Sequence, residues 1–82
     1  MTNKFEISGP IVSYGTTNGR DYLEILTDSD SYSITVYLQN DSINDLVKHY
    51  GDLDGKKCNA TGFILSYPDT DYVSVIATRI IL

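Results

Sequence analysis

Carboxylate side chains recur in pairs along the sequence, and closely spaced carboxylates are the ligands that hard cations such as Ca²⁺ prefer. Each pair adjoins serine, glycine or proline in a predicted turn, where aspartate commonly accepts hydrogen bonds from the backbone. None has the ligand spacing of an EF-hand calcium loop. We therefore interpret them as turn residues and predict neither a metal site nor a bound cofactor. The pairs are Asp28 with Asp30, Asp52 with Asp54, and Asp69 with Asp71.

Few residues could act as a nucleophile or a base. His49 is the only histidine and Cys58 the only cysteine. His49 falls at the end of a predicted helix, where the dipole favours a cation. Cys58 falls on the inward side of a predicted strand, which is typical of an inert core thiol. The chain also has no glycine-rich phosphate loop and no serine in a nucleophile-elbow motif. We predict that the protein is not an enzyme.

Length, charge and cysteine content limit the remaining classes of function. The chain has 82 residues, which suffice for one domain spanning 1–82. Its 6 basic and 11 acidic residues give a formal charge of −5. This charge argues against a protein that coats duplex DNA but is compatible with a local basic groove. A single cysteine and an N-terminus without an apolar signal segment predict a cytoplasmic protein.

Alternation of apolar and polar residues predicts an all-β domain with one helix. Gly9 and Pro10 predict a bend in the first strand, because neither suits the middle of a regular strand. Ser42 can cap a helix over residues 42–50, whose apolar stripe ends at Tyr50, predicted to be core. Strands are predicted at 5–14, 20–27, 32–38, 57–67 and 72–82. The side chains predicted to be buried are Ile7, Ile11, Ile25, Ile34, Val36, Leu46, Val47, Ile64, Val75 and Ala77.

The order of three strands, a helix and two strands resembles the OB fold, in which a helix between the third and fourth strands closes one end of a barrel. Gly9 resembles the glycine that bends the first strand of that fold. Segments 22–28, 59–64 and 75–80 resemble strands of single-strand DNA-binding proteins and tRNA anticodon-binding domains. The resemblance covers nearly the whole chain. It implies a five-stranded antiparallel barrel.

In such proteins single strands bind across the second and third strands, between the loops that join strands one to two and four to five. Aromatic rings stack on bases there, and basic side chains neutralise phosphates. The resemblance implies Tyr22 and Tyr37 as the stacking platform. This chain departs from the family in the acidic residues around that platform, which are Asp21, Glu24, Asp69 and Asp71. The implied nucleic-acid-binding residues are Tyr14, Arg20, Tyr22, Tyr37, Lys57, Tyr67 and Arg79.

Two classes of function follow from this resemblance and from the charge. The first is binding of single-stranded DNA or RNA. The alternative is an acidic OB-type protein–protein interaction module, such as an assembly subunit or an inhibitor encoded by a phage or mobile element. Phe63 and Leu65 point outward from the predicted fourth strand and residues 80–82 are apolar, so we also predict a homo-oligomer that uses Phe63 and Leu65 as an interface. No membrane partner is predicted.

Overall fold

The computed structural model describes residues 3–27, 32–69 and 72–82, and within these ranges the chain forms five strands and one helix. The helix lies between the third and fourth strands, as predicted. The turn predicted at 28–31 and the aspartate at 71 lie outside the described residues. The elements are β1 (Asn3–Thr17), β2 (Arg20–Leu26), β3 (Ser33–Leu38), α1 (Ile43–Tyr50), β4 (Lys57–Ser66) and β5 (Val73–Ile81).

The strands close into a barrel in the order β1-β2-β3-β5-β4. Neighbours are antiparallel except β3 and β5, which pair in parallel through Tyr37 with Ile76 and Leu38 with Ala77. The prediction of a purely antiparallel barrel was therefore wrong at this pairing. A closed ring with an odd number of strands cannot alternate direction all the way round, so one pair must be parallel. The barrel is otherwise the one that the sequence predicts.

β1 pairs with two neighbouring strands, one after the other along its length. Its residues 3–10 pair with β4, and its residues 11–17 pair with β2. The change of partner follows Gly9 and Pro10, where the sequence predicts a bend. A side chain on Gly9 would collide with the backbone carbonyl oxygen of Leu26 on β2. Glycine is needed at this position because two strand backbones approach each other there.

Five of the ten side chains predicted to be buried are buried in the core of the barrel. Ile7, Ile64 and Val75 are half-buried, whereas Ile34 is 37% exposed and Val47 is 36% exposed, so the last two predictions were wrong. Ile34 lies where β3 pairs with β2 but has not yet reached β5, so one flank of the strand is open. The buried apolar residues are Ile11, Leu23, Ile25, Val36, Leu46, Leu53, Cys58, Ala60 and Ala77.

The helix α1 is capped as the sequence predicts but is less deeply packed. The Ser42 hydroxyl oxygen accepts a hydrogen bond from the Asp45 backbone N–H at 3.1 Å. Leu46 is the buried residue of α1, and Tyr50 is 42% exposed, which corrects the prediction that Tyr50 belongs to the core. The chain leaves the helix at Gly51 and then buries Leu53 completely. The helix therefore contributes Leu46 to the core, and the segment after the helix contributes Leu53.

Candidate functional site

Two tyrosines lie side by side on the outside of the barrel. Tyr22 on β2 and Tyr37 on β3 are directly opposite each other in the antiparallel register. Their sequence neighbours Leu23 and Val36 are completely buried. Because side chains alternate between the two faces of a strand, both tyrosines project outward. The two tyrosines that the sequence predicts on strands two and three are therefore brought together as an outward cross-strand pair.

Arg20 lies on the same outer face and covers Tyr37. Its guanidinium carbon is 4.2 Å from the centroid of the Tyr37 ring. Arg20 is two positions before Tyr22 on β2, so it reaches Tyr37 along the diagonal of the strand pair. This distance is that of a cation–π contact. A positive charge is thus held against an aromatic ring of the platform.

The ring of Tyr22 extends toward β1 over a glycine. Gly15 pairs with Tyr22 in the β1–β2 register. A Cβ atom at Gly15 would lie 3.2 Å from the Tyr22 hydroxyl oxygen. The absence of a side chain at Gly15 leaves the ring room to lie across the neighbouring strand.

An open groove of about 500 Å³ adjoins Tyr37 at the hairpin between β4 and β5. The Tyr67 and Ser74 hydroxyl oxygens are 3.3 Å apart in it. Tyr72 and Val73 are 76% and 59% exposed. Tyr72 was missed in the sequence, although it flanks the same turn as Tyr67. The groove is lined by Tyr37, Tyr67, Tyr72, Val73 and Ser74.

The chain is similar to known proteins in structure but matches none of them in sequence. No family model and no curated protein matches the sequence. The structure is similar to the mitochondrial single-stranded DNA binding protein Rim1 of S. cerevisiae, with a TM-score of 0.76 at 18% identity over 100% of this chain and 93% of that chain. A second crystal form of Rim1 gives a TM-score of 0.74 at 16% identity over 98% of this chain and 91% of that one. A chain of the S. pombe Stn1–Ten1 complex gives a TM-score of 0.67 at 17% identity, over 98% of this chain and 57% of that chain.

This chain has an OB fold. At these identities the similarity establishes the architecture, namely a closed five-stranded barrel with a helix between β3 and β4. The fold resemblance inferred from the sequence is thereby confirmed.

Two of the acidic residues that the sequence places near the tyrosine pair, Glu24 and Asp21, accept hydrogen bonds. Glu24, beside Tyr22 on the outer face, accepts from the Ser33 hydroxyl at 3.1 Å. Asp21 accepts from the Thr16 hydroxyl at 2.6 Å and from the backbone N–H of Ile43 at 2.9 Å. Both bonds lower the pKa of Asp21, that from Thr16 more than that from Ile43. Asp21 therefore joins the first turn of α1 to β2 as a carboxylate. This contact joins residues 22 positions apart and was not predicted from the sequence.

Tyr14 lies on the opposite face of the barrel wall from Tyr22 and Tyr37. It pairs with buried Leu23 and packs against the core. Its hydroxyl donates to the Asp52 carboxylate at 3.0 Å, and this bond is the main cause of a raised Tyr14 pKa. The pKa of Asp52 is lowered, first by the Asp54 backbone N–H and then by Tyr14. Tyr14 thus anchors the segment after α1 and is not brought to the tyrosine pair.

The structure also separates the remaining basic residues that the sequence singled out. Lys57 pairs with Pro10 at the beginning of β4, a strand that is adjacent to neither β2 nor β3 in the barrel. Arg79 pairs with Thr61 and is exposed. Only Arg20 lies against the tyrosine pair among the three predicted basic residues. Lys57 is therefore left out of the candidate site.

In residues 3–27, 32–69 and 72–82, no three His, Cys, Asp or Glu side chains are grouped as metal ligands would be. Burial raises the pKa of the Cys58 thiol to about 11, which disfavours the reactive thiolate. No helix in these residues is long and apolar enough to cross a membrane.

Proposed function

We propose that this OB domain binds single-stranded nucleic acid, with bases stacked on Tyr22 and Tyr37. The observation that carries the proposal is the cross-strand tyrosine pair with Arg20 held 4.2 Å from the Tyr37 ring centroid. Aromatic rings accept the faces of unpaired bases, and stacking contributes about 1–3 kcal/mol per base. The bases of a duplex are already stacked and do not offer these faces. Single strands are therefore the ligand that this surface suits.

The groove beside Tyr37 supports the same proposal. It continues the platform toward Tyr67 and Tyr72, whose rings line it together with Ser74. Hydroxyl groups of Tyr67 and Ser74 lie 3.3 Å apart at its wall and offer donors and acceptors to a base edge or a sugar. An aromatic groove with a few hydroxyl groups binds many base sequences without strong preference.

Charge makes this proposed site different from a strongly basic one. Arg20 lies on the outer face together with Glu24, and the whole chain has a formal charge of −5. Few phosphates can be neutralised, so stacking must supply much of the affinity. We expect weak binding that declines only gently as salt concentration rises.

The direct experiment is a titration of fluorescently labelled single strands with the wild-type protein at low salt. Oligo-dT and oligo-U should raise the anisotropy with increasing protein concentration, and a duplex of equal length should bind more weakly. The chain has no tryptophan, so quenching of its tyrosine fluorescence gives an independent signal of stacking. Equal affinity for duplex and single strand would reject the proposal, and so would a lack of binding to both oligo-dT and oligo-U. The tyrosine pair would then be assigned to the alternative role, a protein-binding surface.

A further inference from the structure

We infer, on the basis of the proposed function, that a bound single strand continues past Tyr37 around the barrel and reaches a second stacking site at Phe63 on β4. The ligand is the same single-stranded oligonucleotide. Its path extends beyond the tyrosine pair and includes contacts with Phe63, Lys4 and Arg79.

The first observation is a continuous row of outward side chains. Tyr37 on β3 pairs with Ile76 on β5, and Ile76 pairs with Phe63 on β4. Paired residues share one face of a sheet, and the burial of Ala77 next to Ile76 identifies that face as the outside. With Tyr22, these residues form what we call the outer row. Neighbouring strands are about 5 Å apart, so Phe63 lies roughly 10 Å from Tyr37 across the sheet.

The second observation is a groove at the far end of the outer row. This groove has a volume of about 640 Å³, and its lining includes Phe63, Lys4 and Thr61. Phe63 is half-buried, so part of its side chain is accessible. A ring at the edge of a groove of this size can receive a base in the way that Tyr22 and Tyr37 are proposed to do.

The third observation is the distribution of positive charge. Lys4 pairs directly with Phe63 and continues the outer row onto β1. Arg79 is exposed and pairs with Thr61, two positions before Phe63 on β4. Together with Arg20 over Tyr37, cations lie at both ends of the outer row. If a nucleic-acid strand follows this row, the phosphates near each end of the row meet a positive charge.

Glu6 also lines the second groove and limits its charge. Its carboxylate accepts a hydrogen bond from the Asn59 side-chain amide at 3.2 Å, and this amide also donates to the Ser8 hydroxyl at 2.7 Å. Lys4 and Arg79 contribute two positive charges and Glu6 one negative charge, which leaves a local charge of +1 on a chain of formal charge −5. The second site should therefore bind by stacking more than by charge, as the first does.

The test compares a short and a long oligonucleotide. OB domains contact from about 4 to about 16 nucleotides, and dT strands of these two lengths are used. The short strand can cover the tyrosine pair alone, whereas the long strand can span the outer row. Affinities are measured for the wild type, Phe63→Ala and Phe63→Leu. The leucine variant keeps an apolar side chain for packing but has no ring. Ile81→Ala is the control, because Ile81 is 48% exposed and pairs with Asn59, four positions from Phe63 on β4.

Both Phe63 variants should bind the long strand about 5-fold to 150-fold more weakly, the effect of losing one stacked base, and should bind the short strand like the wild type. Lys4→Ala should reduce the salt slope by roughly 0.7 for the long strand only. Ile81→Ala should change neither affinity.

Unchanged affinity of both Phe63 variants for the long strand overturns the inference while leaving the proposed function intact. A change in sedimentation mass of the Phe63 variants without nucleic acid also overturns it, because Phe63 would then be a contact between subunits, as the predicted homo-oligomer requires. Failure of both strand lengths to bind the wild type rejects the proposed function itself.

Discussion

The guanidinium carbon of Arg20 lies 4.2 Å from the centroid of the Tyr37 ring, so the basic residue beside the candidate site is already docked on an aromatic surface. A long flexible side chain normally loses conformational entropy when it binds a phosphate. Here part of that entropy is lost on folding, through the contact with Tyr37. The same contact fixes which edge of the tyrosine pair carries the positive charge.

Replacing Arg20 tests what this contact contributes. Arg20→Ala should make the salt dependence of oligo-dT binding shallower by roughly 0.7, the value for one phosphate contact to a single strand. Arg20→Lys should keep the slope but bind more weakly, because an ammonium group cannot stack on the ring as a planar guanidinium does. The slopes come from titrations at several salt concentrations. Lys48→Ala, which removes an equal charge from the last turn of α1, is the control and should leave the slope unchanged.

Asp21 should stabilise the fold through its bond to the helix. Asp21→Ala removes the acceptor for the Thr16 hydroxyl and the Ile43 backbone N–H, and we expect a loss of about 1–2 kcal/mol in the free energy of unfolding. Asp21→Asn keeps a side-chain oxygen and should lose less. Urea denaturation measures both values. An Asp21→Ala protein as stable as the wild type would show that α1 is held by its apolar contacts alone.

The pH dependence of the Asp21 effect has a definite sign. Because the pKa of Asp21 is lower in the folded than in the unfolded chain, its ionised form stabilises the folded state. This contribution is complete above the ordinary pKa of an aspartate, about 4, and is lost as the pH falls through the lower folded value. The stability difference between wild type and Asp21→Asn should therefore shrink below about pH 4 in urea melts. A difference that grows on acidification contradicts this assignment.

Neighbouring residues of α1 should differ strongly in their contribution to stability. Leu46 is 6% exposed and Val47 is 36% exposed. Leu46→Ala should reduce the free energy of unfolding by about 2–5 kcal/mol, a large share for a domain of this size. Val47→Ala should cost less than about 1 kcal/mol because little of the side chain is removed from the core. Similar losses for the two variants in urea melts would mean that α1 packs with a different face.

Strand alternation made the central part of the site predictable. Buried Leu23 and Val36 force Tyr22 and Tyr37 outward, and both pairs can be recognised from the period of two residues in the sequence. The Ser42 cap was also predictable, because its hydrogen bond to the Asp45 N–H joins residues only three positions apart. Local patterns of this kind depend on residues a few positions apart.

Contacts between distant segments were not predictable in this way. Tyr14 belongs to the inner face because β1 carries a bulge between Ile11 and Ser13, which shifts the alternation that a regular strand would have. Tyr50 is exposed and Leu53, beyond the end of the helix, is buried, although both positions are apolar in the sequence. The groove that joins Tyr37 to Tyr72 depends on the closure of β3 onto β5, which no local pattern specifies.

The tyrosine pair is the central claim, and substitution of each member tests it most directly. Tyr22→Ala and Tyr37→Ala are compared with Tyr50→Ala, an exposed tyrosine on α1 rather than on the β2–β3 face. Affinity for labelled oligo-dT at low salt is the measured quantity, and a thermal melt of each variant checks the fold. We expect each of the first two variants to weaken binding by about 1–3 kcal/mol and the Tyr50 variant to bind like the wild type. Wild-type affinity in both Tyr22→Ala and Tyr37→Ala would contradict the account, because the bases would then be bound elsewhere.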